Sequence, residues 1–290
     1  MGIFFDNEMK VIVQGITGRE GKYHTGLMLQ YGTSIVAGCS PGKGGQVVNG
    51  VPVYDAVEEA VRYEGANTSI VFVPPGFAVD ALHEAAEAGI RLIICITEGI
   101  PALDVMHALR RIHVMCPGTR IIGPNSPGII FPGHNLIGIM PGNIFSPGKV
   151  GIISRSGTLT YQIAYDLTNS GAGQSSVIGV GGDPFIGMKF IDLLKLYNED
   201  PDTEAVCLIG EIGGNDEEEA AEYIKNSFSK PVVAYVAGQT APAGKKMGHA
   251  GAIISASTGT ADSKIKALQD AGAIPVTAPY EAADAILKIF

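Results

Sequence analysis

Short apolar runs alternate along the chain with stretches that have helical spacing. Several of these runs are rich in Val and Ile and almost continuously apolar, which is typical of parallel strands covered on both faces. The repeated strand–helix pattern predicts an open α/β sheet that binds ligands at the carboxyl ends of its strands. In the first half of the chain, the predicted strands span residues 10–16, 34–39, 69–73, 91–96 and 120–123, and predicted helices between them include 77–88 and 102–115.

The pattern changes at residues 123–148, where the sequence is GPNSPGIIFPGHNLIGIMPGNIFSPG. This density of Gly and Pro predicts a connection between domains that lacks regular elements. We therefore expect a first α/β domain over residues 1–125, a connection over 126–148 and a second α/β domain over 149–290. The predicted strands of the second domain span residues 150–154, 176–180, 205–210, 232–237 and 274–276.

Composition narrows the classes of function. The 290 residues are 46% apolar, which is enough for two packed domains, and the net charge is −9 with no run of Lys or Arg, which disfavours nucleic-acid binding. The four cysteines stand singly, so we expect reduced thiols and no metal site. No apolar run reaches the ~20 residues of a membrane span, and the amino terminus has no basic flank before a long apolar run. These features predict a soluble cytoplasmic protein with neither nucleic acid nor a membrane as a partner.

A glycine-rich loop, GITGREG at residues 15–21, follows the first predicted strand and precedes a predicted helix. Its glycines would let backbone N–H groups approach a phosphate at the positive end of the helix, although the same pattern also occurs in turns that bind nothing. A dinucleotide site places an acid about 20 residues further on, yet no Asp or Glu occurs between Glu20 and Asp55, which disfavours NAD. The second predicted strand leads instead to Lys43 in the turn SPGKGG. This cation suits the phosphate-bearing ribose of CoA or NADP; the alternative is a solvated loop lysine.

A single histidine, His249, lies among small residues in the segment MGHAGA, within the loop that follows the strand predicted at 232–237. Most lone histidines are structural or simply exposed. A chemical role for His249 is therefore supported mainly by two other segments of the second domain. Ser154 and Ser156 join a strand to a helix and would form a phosphate seat. Glu211 directly follows the strand predicted at 205–210; a carboxylate on one ring nitrogen would fix the imidazole tautomer and leave the other nitrogen nucleophilic. As the alternative, Glu211 is an ordinary solvated loop residue.

Eight segments carry a resemblance to a known family. In chain order they are GITGREG, PGKGG, ITEGIP, GPNSPG, SRSGTLTY, GVGGDP, LIGEIGG and MGHAGAI. Their order and approximate separations resemble those of succinyl-CoA synthetase α subunits over essentially the whole chain.

The resemblance implies a Rossmann-like CoA-binding domain followed by a flavodoxin-like α/β domain that carries a phosphohistidine. It implies that His249 becomes transiently phosphorylated and is oriented by Glu211. Ser126 stands where the family commonly has a cysteine, so a hydroxyl replaces any thiol contact near the CoA sulfur. The implied contacts are Thr17, Gly18, Arg19, Glu20, Lys43, Ile96, Thr97 and Glu98 with CoA, Ser154 and Ser156 with phosphate, and Tyr161 and Ser126 with substrate.

The reaction implied by the resemblance joins a carboxylic acid to CoA, using a nucleoside triphosphate. The resemblance also implies a separate β subunit with an ATP-grasp fold that binds the nucleotide, ATP or GTP with Mg²⁺. This chain itself contains no GxxxxGK[ST] sequence that would cradle a triphosphate. Succinate is the expected acid, with malate, citrate or another dicarboxylate as alternatives. A non-catalytic CoA-binding or nucleotide-sensing protein is the alternative from a different class. An NADP-dependent reductase is disfavoured, because no hydride-transfer constellation is evident.

Overall fold

The computed structural model describes Phe4 and residues 9–241, 248–253 and 259–290. The chain forms two compact α/β units. The first unit comprises Met1–Ile130, His134–Met140 and Phe185–Gly187, and the second comprises Phe131–Gly133, Pro141–Pro184 and Met188–Phe290. The domain boundaries expected at residues 125 and 148 remain a prediction.

The first unit is built on a sheet with the strand order β3-β4-β2-β1-β5-β6-β7. All neighbouring pairs are parallel except the edge pair β3–β4. Without β3, the order is the 3-2-1-4-5-6 arrangement of a Rossmann fold, as predicted. The elements are β1 (Val11–Gln14), α1 (Arg19–Tyr31), β2 (Ile35–Cys39), β3 (Val47–Val48), β4 (Val51–Tyr54), α2 (Val57–Glu64), β5 (Thr68–Val71), α3 (Pro75–Glu87), β6 (Leu92–Cys95), α4 (Ala102–Met115) and β7 (Arg120–Ile122).

The hairpin β3–β4 and helix α2 were not among the predicted elements. The two strands are joined at Asn49 and Gly50, which both have positive φ, 52° and 82°. This is the conformation of a two-residue hairpin turn, and Asn-Gly is its favoured sequence. The signal was therefore present in the sequence, but the strands are too short to form an apolar run.

The prediction that residues 123–148 lack regular elements is wrong. Two strands lie there, β8 (Gly128–Phe131) and β9 (Asn135–Gly138), followed by a 3₁₀ turn at Gly142–Ile144. The glycines permit close backbone approach rather than interrupting the strands: a Cβ on Gly128 would lie 2.3 Å from the carbonyl oxygen of Ile137. Gly138 is equally close to the backbone of Pro127, so this part of the chain needs glycine at both positions.

The second unit contains five parallel strands in the order β14-β13-β12-β10-β11. Counted along the chain, this is the 2-1-3-4-5 order of flavodoxin, which confirms the flavodoxin-like prediction. The elements are β10 (Pro147–Ser154), α5 (Gly157–Asn169), β11 (Gln174–Gly179), α6 (Phe190–Glu199), β12 (Ala205–Glu211), α7 (Asp216–Ser227), β13 (Val232–Ala237), α8 (Ala261–Asp270), β14 (Ile274–Val276) and α9 (Glu281–Leu287).

The central strands are almost entirely inaccessible to solvent, because helices cover both faces of each sheet. Polar side chains therefore collect where the strands end. In the first unit, the loops after β1, β2 and β6 carry the residues predicted to contact CoA. In the second unit, Ser154 ends β10 and Glu211 ends β12. Within the described residues, no helix is both long and apolar enough to cross a bilayer.

Candidate functional site

The glycine-rich loop of the first unit has the geometry of a phosphate-binding turn. A Cβ on Gly21 would lie 2.2 Å from the carbonyl oxygen of Gly15, so the loop closes too tightly for a side chain there. Gly18 is the N-cap of α1, with φ −70° and ψ 163°, and no side chain caps the helix. The first-turn N–H groups therefore lack a side-chain acceptor, and an anion at this helix end would supply one.

The other residues predicted to contact CoA lie at the same edge of this sheet. The Thr17 hydroxyl donates to Ser40 Oγ at 3.0 Å. Lys43 is exposed, in a turn closed by its own N–H donating to the Ser40 carbonyl at 3.0 Å. Thr97 is buried and donates to the Val73 carbonyl at 2.7 Å. Two threonines thus shape the rim of the site, while the lysine extends into solvent.

Flanking positions complete this rim. Arg19 and Glu20 are exposed at the start of α1 and approach each other to 3.5 Å. Ile96 is partly buried and Glu98 is exposed, directly beyond β6. The contacts of these residues with CoA remain predictions.

Asp55 also lies in this region, although its distance from the glycine-rich loop along the sequence is too long for the acidic residue of a dinucleotide site. It follows β4, and its Oδ1 accepts a hydrogen bond of 2.8 Å from the N–H of Gly44. A carboxylate therefore does lie beside the Lys43 turn, although it is separated from Glu20 by more than the spacing of a dinucleotide site. The hairpin that brings Asp55 back was not predicted, so its proximity could not be anticipated.

His249 and Glu211 form the centre of the candidate site in the second unit. Nδ1 of His249 lies 2.7 Å from Oε2 of Glu211. The histidine side chain is 31% exposed, whereas that of Glu211 is only 8% exposed. A buried carboxylate thus holds one nitrogen of a partly accessible imidazole, which fixes the ring orientation. Of the loop that leads to His249, residues 242–247 lie outside the described residues.

The imidazole rests against a glycine, Gly182, in the loop after β11. A Cβ on Gly182 would lie 2.4 Å from Cγ and 2.7 Å from Nδ1 of His249. The φ of Gly182 is outside the left-handed region, so the backbone itself does not require glycine. A second close approach lies nearby, because a Cβ on Gly213 would lie 2.1 Å from the carbonyl oxygen of Gly251. The segment around His249 thus packs directly against backbone at Gly182 and at Gly213.

Behind Glu211 lies a buried ion-pair network that the sequence did not predict. Arg155 is 7% exposed and pairs with Asp216, the first residue of α7. Its Nη1 also lies 4.0 Å from Oε1 of Glu211. Lys189 approaches the other oxygen of Asp216 to 2.8 Å. Burial opposes the ionisation of Asp216, but the charges and hydrogen bonds of Arg155 and Lys189 outweigh it and lower its pKa.

The backbone of Glu211 is held by a second buried pair. Its N–H donates to Oε1 of Glu217 at 3.0 Å, and the other oxygen of Glu217 accepts from Lys264. Both side chains are completely buried. Burial raises the pKa of Glu217, and the charge of Lys264 acts in the opposite direction. Lys264 also donates to Gly214 O at 3.2 Å and lies 3.0 Å from Glu218.

The remaining predicted site residues are placed as follows. Ser156 is the N-cap of α5, and its Oγ accepts from the N–H of Leu159 at 3.3 Å. Ser154 is fully buried, and its Oγ accepts from the Ser156 N–H at 3.0 Å. Tyr161 lies in α5, where burial raises its pKa. In the first unit, the buried Ser126 accepts from the Gly128 N–H at 2.9 Å.

Comparison with known proteins follows the same two-part division. Residues 6–99 match the family described as CoA binding domain, and residues 153–274 match the family described as CoA-ligase. Succinate–CoA ligase [ADP-forming] subunit alpha 2 of Archaeoglobus fulgidus is 60% identical over 289 residues, covering 100% of both chains. The chain belongs to the succinate–CoA ligase α-subunit family. The corresponding alpha subunit of Aquifex aeolicus is 53% identical, over 100% of this chain and 95% of that one.

Solved structures show the same fold in more distant proteins. ATP citrate lyase from Methanothrix soehngenii, in complex with citrate and coenzyme A, superposes with a TM-score of 0.88 at 24% identity. The match covers 99% of this succinate–CoA ligase family member and 51% of the lyase, so the chain spans about half the length of that protein. Acetyl-coenzyme A synthetase 1 of Ca. Korarchaeum cryptofilum superposes at 0.75 with 20% identity, over 96% of this chain and 60% of that one.

Family membership decides between alternatives that the sequence pattern left open. The matched CoA binding domain includes both the glycine-rich loop and Lys43, so the cofactor of the first unit is CoA rather than NADP. The uncapped start of α1 fits a phosphate-bearing ligand of this kind. The CoA-ligase match over the second unit makes the chain part of a ligase enzyme rather than a CoA sensor.

The contact between Gly182 and the imidazole gives a first prediction. Gly182→Ala should displace the ring and abolish the 2.7 Å contact between Nδ1 and Glu211. Because the ring is partly exposed and can turn outward, the free energy of unfolding should change by no more than about 1 kcal/mol. NMR of ¹⁵N-histidine-labelled protein would report the Nδ1 environment, and urea unfolding the stability. Gly118→Ala, where a Cβ has open space and φ is ordinary, is the matched control. An unchanged Nδ1 signal in Gly182→Ala would contradict the packing of the His249 ring against Gly182.

The buried Glu217–Lys264 pair gives a second prediction. Lys264→Met should leave the carboxylate of Glu217 buried without its cation, which should cost about 3–5 kcal/mol of stability. Adding Glu217→Gln removes that charge and still provides an acceptor for the Glu211 N–H, so the double variant should recover most of the loss. Urea unfolding of the three proteins measures both steps. Equal destabilisation of the single and double variants would show that the charge pairing is unimportant.

Proposed function

We propose that this chain is the α subunit of a succinate–CoA ligase that forms succinyl-CoA from succinate, CoA and a nucleoside triphosphate, with His249 as phosphoryl carrier. The observation that carries the proposal is the 2.7 Å contact between Nδ1 of His249 and the buried carboxylate of Glu211. It lies within the matched CoA-ligase region. Relatives at 53–60% identity over nearly their whole length are named succinate–CoA ligase [ADP-forming] alpha subunits.

The proposed chemistry uses the two ring nitrogens of His249 differently. With Nδ1 as the protonated nitrogen, donating to Glu211, the lone pair of the neutral ring lies on Nε2. Nε2 attacks the γ-phosphorus of the triphosphate, and the nucleoside diphosphate leaves. A carboxylate oxygen of the acid then takes the phosphoryl group from Nε2 and forms an acyl phosphate. The CoA thiolate attacks the acyl carbon, and inorganic phosphate leaves.

Charge stabilisation is the main task of the protein in such transfers, because the phosphoryl group carries its negative charge through every step. We assign the phosphate seat to Ser154 and Ser156 at the start of α5, where the helix dipole favours an anion. Tyr161, in the same helix, is assigned to the acid substrate. Ser126 is assigned to the neighbourhood of the CoA sulfur.

The nucleotide is assigned to a partner chain. The sequence has no GxxxxGK[ST] motif, and its relatives are named as α subunits, which implies a second subunit. We propose that this partner is a β subunit with an ATP-grasp fold, which binds ATP or GTP with Mg²⁺. We also propose a cytoplasmic location for the complex.

The function is tested by phosphoryl labelling of the complex of both subunits. With ATP and Mg²⁺, one acid-labile, base-stable phosphoryl group per α chain is expected on Nε2 of His249, because Nδ1 is held by Glu211. ³¹P NMR distinguishes the two ring isomers. His249→Asn should abolish both label and turnover while CoA binding in the first unit stays unchanged. Labelling of His249→Asn at the wild-type level would refute the assignment.

Substrate identity is tested by the same preparation. Succinate, malate and citrate, each with ATP or GTP, should be compared for thioester formation, and succinate should give the highest kcat/KM. The α chain purified without its partner should bind CoA but form no thioester until the β chain is added. A higher kcat/KM with another dicarboxylate would show that this acid, and not succinate, is the substrate of the same ligase reaction.

A third prediction concerns Lys43 and the ribose phosphate of CoA. Lys43→Ala should weaken CoA binding by about 1–3 kcal/mol, the range of a charge-assisted hydrogen bond. Dephospho-CoA lacks that phosphate, so its affinity should change much less. Titration calorimetry with both ligands measures the difference. If both weaken equally, Lys43 supplies only general positive charge.

A further inference from the structure

We propose that Arg155 is a positioning residue for the His249–Glu211 pair: it fixes the Glu211 carboxylate and thereby selects the tautomer of His249. The inference rests on the proposed function, in which His249 carries the phosphoryl group. Arg155 lies between the two serines assigned to phosphate, but its guanidinium group is directed to Glu211, Asp216 and the carbonyl of Asp183.

The two oxygens of Glu211 have different surroundings. Oε2 contacts His249, whereas Oε1 has no hydrogen-bonding partner among the residues that the structure describes. The cation paired with Oε1 is Arg155, with Nη1 at 4.0 Å. Both side chains are 8% exposed, so solvent screens this attraction much less than it would at the surface. The charge of Arg155 therefore favours the rotamer that leaves Oε2 facing the imidazole.

Arg155 is itself held from several directions. Its backbone N–H donates to Ile209 O at 3.0 Å, in the strand that ends with Glu211. Nη2 donates to Asp216, and the guanidinium carbon lies 6.0 Å from the centre of the Phe190 ring. A planar guanidinium group can serve two carboxylates and a carbonyl at once, whereas a lysine ammonium cannot match this fork. The position of Glu211 is thus tied to the start of α7.

Removing the guanidinium group should change the state of the imidazole rather than only the stability of the unit. Without it, Oε1 of Glu211 has no facing cation, and the charge that favours the rotamer with Oε2 toward His249 is lost. Nδ1 would then lose its acceptor, and the neutral ring would distribute between its two tautomers. Only the tautomer with the lone pair on Nε2 can receive the phosphoryl group there, so transfer should slow.

The test compares Arg155→Gln and Arg155→Lys with wild type in the α–β complex. Arg155→Gln should lower the rate of His249 labelling on the order of 10- to 100-fold, the range found when the residue that orients a metal-ligating imidazole is removed. ¹⁵N NMR of His249 should show a mixture of tautomers in place of one. Arg155→Lys should recover the rate only in part. The dissociation constant for CoA should stay within about twofold, because CoA binds to the first unit and Arg155 lies in the second. If Arg155→Gln folds poorly, the double variant with Asp216→Asn removes the second buried carboxylate and should show the same tautomer mixture.

Lys189→Met is the matched control. Lys189 is the other cation on Asp216, at 2.8 Å, and its side chain is 40% exposed. This variant should keep the wild-type tautomer and labelling rate. A wild-type rate and a single tautomer in Arg155→Gln would overturn the proposal, and so would an equal loss in Lys189→Met, since the effect would then come from Asp216 alone. An unlabelled wild-type His249 would instead refute the proposed function, while the tautomer measurement would still test Arg155.

Discussion

The candidate site depends on one constraint, the burial of the Glu211 carboxylate at the end of β12. A buried negative charge is tolerated only where cations and hydrogen-bond donors surround it. Its side chain faces Arg155 and His249, and its N–H is bonded to Glu217. The two acids at the start of α7 then need cations of their own, which Arg155, Lys189 and Lys264 supply from three other parts of the second unit. These contacts thus connect Glu211, at the end of β12, to the residue after β10, the start of α7 and helix α8.

The fold was predictable wherever strands are buried on both faces. β1, β2, β5, β6 and β7 and the five parallel strands of the second unit all overlap predicted apolar runs. Prediction failed where Gly and Pro were interpreted only as interruptions. Gly128 and Gly138 instead allow two strands to approach, and Asn49–Gly50 is the turn of a hairpin. A single residue type has both meanings, and only the three-dimensional neighbourhood distinguishes them.

The site was predictable to the extent that its residues lie in recognisable segments. His249 and Glu211 were identified in this way, and the structure brings them together, although their catalytic roles remain proposed. Arg155 was named only as a member of its segment, and its partner Asp216 is 61 positions away. Lys264 and Glu217 are 47 positions apart. The acidic run that begins α7 was visible, but which of its carboxylates are buried depends on long-range packing that periodicity does not encode. The contact of Gly182 with the imidazole is equally invisible, because the segment GVGGDP gives no indication of which side chain lies against its glycines.

The two helix starts associated with phosphate differ in a way that fits different kinds of ligand. α1 has Gly18 as its N-cap and no side-chain cap, so its first N–H groups are open to water or to an anion. α5 begins at Ser156, whose hydroxyl accepts from the Leu159 N–H at 3.3 Å. A helix capped by its own serine is stable whether or not a phosphoryl group is present, whereas an uncapped helix gains stability from a ligand that stays bound. The first arrangement suits a phosphate of bound CoA. The second suits the proposed role of α5, in which a phosphoryl group would arrive on His249 and leave again, because the helix end does not lose its cap at each transfer.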